Sequence, residues 1–387
     1  MGLPMERTIG GALPAQPRAR AASPALAYIP SLDGIRGIAV LLVMASHALG
    51  VFGGMLGVDA FFVLSGFLIT TLLIHEFDTG TSLAVFYWRR FLRLMPALVI
   101  VVLVVYAAYP LLPGTGSASR ECELLAPLMG VANWTMPFGR DCPLYMGHSW
   151  SLGVEEQFYL LWPVILFVCL RVVGKKGAIG IALMLAGACA AWRASLSLND
   201  APIERIYWPF DTRCDGMLVG AAAGLLMTTE AAERLFELAR KLWLPATIGI
   251  GAMVALGVGH EPFFRGGYTV FALLCAIVIV AASRTTNGAL DRALSFKPLV
   301  YLGTLSYGFY LWHYPVVLYI SRQAGAFWPK VGVMFLLTLG ASYASRRFVE
   351  VPMLRLRTAV HRRPWLGWVT ATSSALLILL GLSIFWP

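Results

Sequence analysis

Arg36 and His47 lie eleven positions apart in one apolar stretch, SLDGIRGIAVLLVMASHALG, which runs from Ser31 to Gly50. On a helix, eleven residues make three turns plus about 20°, so both side chains leave the same face, roughly 16 Å apart along the axis. A guanidinium at one end of a hydrophobic helix and a titratable imidazole half a bilayer deeper are costly to keep. Such groups normally face a protein interior or a watery cavity and mark a functional path. The structural alternative has Arg36 reaching for lipid headgroups while His47 hydrogen-bonds a neighbouring helix. The shared face favours chemistry.

Further chemistry-bearing residues sort into two layers. In Tyr87-Trp88-Arg89-Arg90-Phe91-Leu92-Arg93 the last two arginines are three apart, neighbours on a helix surface able to grip phosphate with planar forks. Taken alone they read as ordinary basic residues beside headgroups. Arg36, Arg90 and Arg93 together make a candidate site for an anionic donor. Near the depth of His47 come Asp59, Glu155, the Asp211-Thr212-Arg213-Cys214-Asp215 run and His313. The fourth span opens with His148-Ser149-Trp150, and His75, His260 and His361, at span ends or in loops, are given no role. A His oriented by a carboxylate can strip the proton from a hydroxyl. His47, Glu155 and Asp59 are therefore the catalytic candidates, with Glu155 the preferred partner of His47 and Asp59 the second. Ser65, Trp150, Tyr159, Asp211, Arg213, Tyr310 and His313 are candidates for holding substrate or supporting the site. No Gly-x-Ser-x-Gly elbow points to a covalent intermediate, so direct transfer is the simpler chemistry. No His pair has ligand spacing, and no metal is expected.

The elements that must position these groups are membrane helices. The chain has 387 residues, 58% hydrophobic and 13% charged, with mean hydropathy +0.73. That composition describes an all-α, polytopic helical bundle in the membrane. The net charge of +10 would suggest nucleic acid in a soluble chain. Here it is a topology signal instead, and no nucleic-acid partner is expected. Eleven spans are expected, at 35–53, 57–75, 94–112, 150–170, 177–197, 214–229, 242–259, 267–283, 298–320, 329–345 and 364–386. With the N-terminus inside, 22 of the 30 Lys and Arg fall on the cytoplasmic side, and eleven spans put the C-terminus outside. Residues 1–29, rich in Ala, Pro and Arg, read as a disordered cytoplasmic tail. Residues 30–361 read as a ten-span catalytic unit, and 362–387 as an additional helix. The long outer loop, 113–149, carries Cys122 and Cys142. A disulfide there and two unrelated thiols both fit the spacing. Cys169, Cys189, Cys214 and Cys275 read as apolar packing residues.

With these residues in view, the chain resembles the membrane acyltransferase-3 family of bacterial O-acyltransferases, which act on O-antigens, peptidoglycan, Nod factors and macrolide antibiotics. The resemblance runs from Leu32 to Pro352. It rests on the Arg36-to-His47 spacing, the Phe61–Phe67 segment with Ser65-Gly66-Phe67, and Arg90-x-x-Arg93. It rests also on Trp150-Ser-Leu-x-x-Glu155-x-x-Phe158-Tyr159, Tyr307 to His313, and Glu350-x-Pro352. It implies transfer of an acyl group, often acetyl, from cytoplasmic acyl-CoA to the hydroxyl of a glycan or a macrolide-like small molecule, by a multi-pass protein of the inner or plasma membrane. In that family the Arg-to-His pair is the catalytic signature and the Arg-x-x-Arg pair is held to contact the donor. The sequence departs from larger members in lacking an extracytoplasmic SGNH-type hydrolase domain, which leaves a cytoplasmic macrolide-like acceptor open. The rival from another class is a transporter or flippase of an acylated product, with the polar residues as a proton relay. The inner arginines argue for a donor site instead.

Overall fold

A computed structural model describes residues 28–115, 119–257, 261–358 and 363–386. All but the last two residues of the expected N-terminal tail lie outside the described residues. The described chain is helical, with no strand. Its long helices are α1 (Pro30–Leu49), α2 (Leu56–Thr79), α3 (Leu83–Ala108), a short α4 (Arg120–Leu128), α5 (Trp150–Val172), α6 (Gly174–Leu198), α7 (Asp215–Leu226), α8 (Ala232–Leu256), α9 (Tyr268–Ala281), α10 (Lys297–Ser321), α11 (Phe327–Ser345) and α12 (Trp365–Phe385). The protein is a polytopic helical membrane protein.

Among the described residues seven helices are long and apolar enough to cross a membrane, namely α1, α2, α3, α5, α6, α9 and α12. The other four spans expected from the sequence fall on α7, α8, α10 and α11. The twelve-residue α7 is apolar but short, and all of it except its last residue is buried. A helix wrapped by protein has no lipid to satisfy, so α10 can carry Ser306, Tyr307, Tyr310 and His313 without being apolar all round.

Local sequence explains how α1 is set. Pro30 occupies its first turn, Asp33 faces its positive end, and Gly50 closes it in the left-handed conformation (φ 71°). Ile29 is the N-cap residue. The Ser31 hydroxyl donates to the carbonyl of Ala282 just past α9 (2.7 Å), which ties α1 to the bundle. Around this helix α1 packs on α10, and α2 packs on α7. Both contacts are backbone-close. A Cβ at Gly66 would lie 1.9 Å from the Met217 carbonyl oxygen, and one at Gly303 would lie 1.8 Å from that of Asp33. Small residues at such crossings are what let membrane helices associate without a hydrophobic drive between them. The α1–α10 contact places His47 against His313.

Candidate functional site

Two cavities are hollowed at opposite ends of α1. The first, an open-mouthed cleft enclosing about 860 Å³ with solvent space included, is lined by Arg36, Arg90 and Arg93 together with Ser65 and Glu155. Residues from five helices, α1, α2, α3, α5 and α10, meet here. Arg36 is paired with Asp33 one turn earlier (2.5 Å). The Arg90 guanidinium lies over the ring of Tyr159, 3.7 Å from its centroid, a flat stacking that arginine permits and lysine does not. Tyr159 donates its hydroxyl to Ser65 Oγ (3.1 Å), and Ser65 donates in turn to Glu155 Oε1 (2.8 Å). Three cations and one carboxylate in one cleft suit a multiply charged anion.

The second cavity, about 950 Å³ with open solvent space included, lies at the other end of α1 and is lined by His47, His148, Trp150, Tyr207 and Tyr314 with the loop residues 141–144. Its rings are crowded. His47 stands edge-on to Tyr314 at 4.8 Å between centroids, and His313 lies 5.2 Å from His47 and 5.3 Å from His148. His148 is 3% exposed, and among the described residues neither ring nitrogen makes a well-formed hydrogen bond, the nearest partner being the Leu311 backbone. A buried polar ring without partners is costly unless something visits it.

The loop over this cavity is held from both sides. Cys122 and Cys142 form a disulfide. The fully buried Glu123 beside it accepts the backbone N–H groups of Leu144, Tyr145 and Met146 (2.5, 2.8 and 2.8 Å). Burial raises the Glu123 carboxyl above its usual range, in opposition to the three donors that hold its charge. Among the described residues Tyr310 alone lines both cavities. Its hydroxyl shares a hydrogen with Ser151 Oγ (2.5 Å) and reaches the His148 carbonyl (2.9 Å).

Several expected roles change. Glu155 is not the partner of His47. It faces the arginine cleft and is held by Ser65, while His47 Nδ1 meets the Val43 carbonyl (3.1 Å) and His313 Nε2 (3.3 Å). Both residues sit at workable depths, but their side chains leave toward different cavities. Asp59 is not a second partner either, because Arg213 captures it in a buried ion pair at 2.8 Å. That guanidinium also covers the Tyr268 ring at 4.0 Å. Asp211, two residues earlier on the same short turn, points away to Arg205 and to Trp192 Nε1 (2.9 Å), and lines neither cavity. Glu350, from the Glu350-x-Pro352 motif, takes a hydrogen bond from Ser345 Oγ (3.3 Å) and no ion pair among the described residues. Arg36, Arg90, Arg93, Ser65 and Tyr159 converge, and so do His47, Trp150, Tyr310 and His313.

Sequence reasoning missed two features. His148 was visible only as the first residue of Trp150's span, with nothing in its spacing to separate it from a cap. Arg193, fully buried, grips Asp215 through both guanidinium nitrogens (2.9 and 2.8 Å) and also bonds the Thr212 carbonyl. An arginine inside an expected span was the signal for it. Among the described residues no group of three or more His, Cys, Asp or Glu is placed to hold a metal ion.

A family model described as an acyltransferase domain matches residues 29–347. The peptidoglycan O-acetyltransferase OatA of Listeria monocytogenes is 34% identical over 352 residues, covering 84% of this chain and 56% of that protein. A putative peptidoglycan O-acetyltransferase, YrhL, of Bacillus subtilis is 30% identical over 84% of this chain and 55% of its own length. The O-acetyltransferase OatA of Staphylococcus aureus is 28% identical, with coverage of 84% and 57%. The chain thus spans a little over half the length of the relatives it matches. No solved structure matches it.

Proposed function

The chain belongs to the acyltransferase family defined by that domain, and from this membership we propose that it is a membrane O-acetyltransferase moving an acetyl group from acetyl-CoA to a hydroxyl of a peptidoglycan-type glycan. The names of the relatives support the acetyl group and the glycan. The observation that carries the reading is the pair of cavities at opposite ends of α1, one cationic and one imidazole-lined, which meet at Tyr310.

The phosphates of the donor suit Arg36, Arg90 and Arg93, each able to give charge-assisted hydrogen bonds. An extended pantetheine arm is comparable in length to the roughly 16 Å between Arg36 and His47 along the helix, so the thioester can reach the imidazole layer. There His47 takes the proton of the acceptor hydroxyl as its oxygen attacks the thioester carbonyl. The C–S bond breaks, and the departing thiolate recovers the proton from His47. With the N-terminus inside, the donor comes from the cytoplasm and the acceptor from the outer face.

The test uses the purified chain in proteoliposomes with radiolabelled acetyl-CoA and a soluble glycan acceptor. His47→Ala should insert normally and lose transfer by about 10³-fold, within the range general-base removal gives. Wild-type turnover in that variant would place the chemistry elsewhere. Acetylation only when donor and acceptor share one side would overturn the trans-membrane step.

A further inference from the structure

His313 Nδ1 lies 2.5 Å from the carbonyl oxygen of Tyr310, one turn earlier on α10. A carbonyl can only accept, so His313 carries its proton on Nδ1 and presents Nε2 as a bare lone pair. That lone pair faces His47 Nδ1 at 3.3 Å. His47 Nδ1 is also 3.1 Å from the Val43 carbonyl, another group that only accepts. With both neighbours accepting, His47 Nδ1 must hold the proton, and Nε2 is left unprotonated beside the cavity. The Val43 carbonyl stands in the backbone ladder of α1, and among the described residues the one side-chain acceptor at His47 Nδ1 is His313. His148 and Tyr314 crowd the region without a hydrogen bond to the His47 ring among the described residues.

We infer that His313 is a positioning residue which fixes the tautomer and the aim of His47, a neutral imidazole in the place a carboxylate takes in a hydrolase triad. The inference rests on the proposal that His47 is the base. His313 touches neither substrate and acts only through His47 and the Tyr310 carbonyl. When His47 gains the hydroxyl proton, its Nδ1–H keeps an acceptor, so the cation that forms is supported inside an apolar bundle without a buried fixed charge. Supplying that acceptor from a neutral ring avoids the desolvation that a carboxylate at this depth would cost.

Two isosteric substitutions separate this role from general packing. In His313→Gln the amide oxygen sits where Nε2 was, so the acceptor for His47 is retained. In His313→Asn the amide reproduces only the Nδ1 side and leaves His47 without it. Steady-state acetyl transfer should show His313→Gln within about 5-fold of wild-type kcat, and His313→Asn down by about 100-fold with the KM of both substrates within about 3-fold, a smaller loss than a triad carboxylate gives. Equal activity in the two variants, whether high or low, or a reversed order would overturn the assignment. Persistent activity in His47→Ala would instead remove the base on which it rests. His47→Ala inactive with the two amide variants alike would sink His313 alone.

Discussion

The hydroxyl of Ser65 on α2 donates to the carboxylate of Glu155 on α5 at 2.8 Å, across ninety positions of sequence. Tyr159, one turn further along α5, donates to the same Ser65 oxygen and carries Arg90 on its ring. The serine thus couples a carboxylate to a stacked guanidinium. Ser65→Ala removes one hydrogen bond to Glu155, worth about 1–2 kcal/mol, and should lower kcat/KM for acetyl-CoA roughly tenfold. Tyr159→Phe keeps the ring beneath Arg90 and should cost less than Ser65→Ala. A Ser65→Ala enzyme with unchanged donor kinetics would show that Glu155 does not depend on this contact.

Arg90→Lys preserves charge and discards the flat face that stacks on Tyr159 at 3.7 Å. The KM for acetyl-CoA should rise about 3- to 10-fold, in line with a cation–π contact of about 1 kcal/mol, while the acceptor KM stays put. Titrating donor and acceptor separately checks this. Parallel rises in both constants would mean that Arg90 holds the fold and not the donor.

Asp59 and Arg213 are both buried, and their ion pair links α2 to the turn before α7. Asp59→Asn leaves a guanidinium uncompensated in the interior, a loss of about 3–5 kcal/mol. Thermal unfolding in detergent should show a large fall in midpoint. The double variant Asp59→Leu with Arg213→Met removes both charges and should recover most of that fall, along with turnover. An inactive but fully stable double variant would return Asp59 to the chemistry.

The helix that carries each group was legible from the sequence, and its neighbours on other helices were not. Helical rise and the apolar pattern located α1 to α3 and α5 to α12, though not the short α4 in the outer loop, and grouped Arg36, Arg90 and Arg93 in one layer and His47 and His313 in another. Periodicity also put Glu155 about a turn inside the membrane. It carries no information about which of several helices a side chain turns toward. Glu155 and Asp59 were therefore assigned to His47, whereas Ser65 and Arg213 hold them. Pairings that span 90 or 154 positions are decided by helix crossings, set here by close backbone contacts at Gly66 and Gly303. His148 escaped for the opposite reason, since what singles it out is burial with no well-formed hydrogen bond among the described residues.

Tyr310 carries a consequence beyond transfer. Its ring, 7% exposed and set against Phe61 with centroids 6.4 Å apart, is the one side chain among the described residues common to the two hollows at opposite ends of α1. Electrically, a bundle excavated from both ends is a thinned insulator. Each 100 mV across the bilayer drives a proton with about 2.3 kcal/mol, and a continuous file of water past this ring would let protons leak whenever the enzyme stood idle. Hydrogen bonds to Ser151 and the His148 carbonyl hold the ring across the gap. The size of the residue at 310 is therefore constrained by the conductance an energised cell can tolerate, quite apart from what catalysis asks of it.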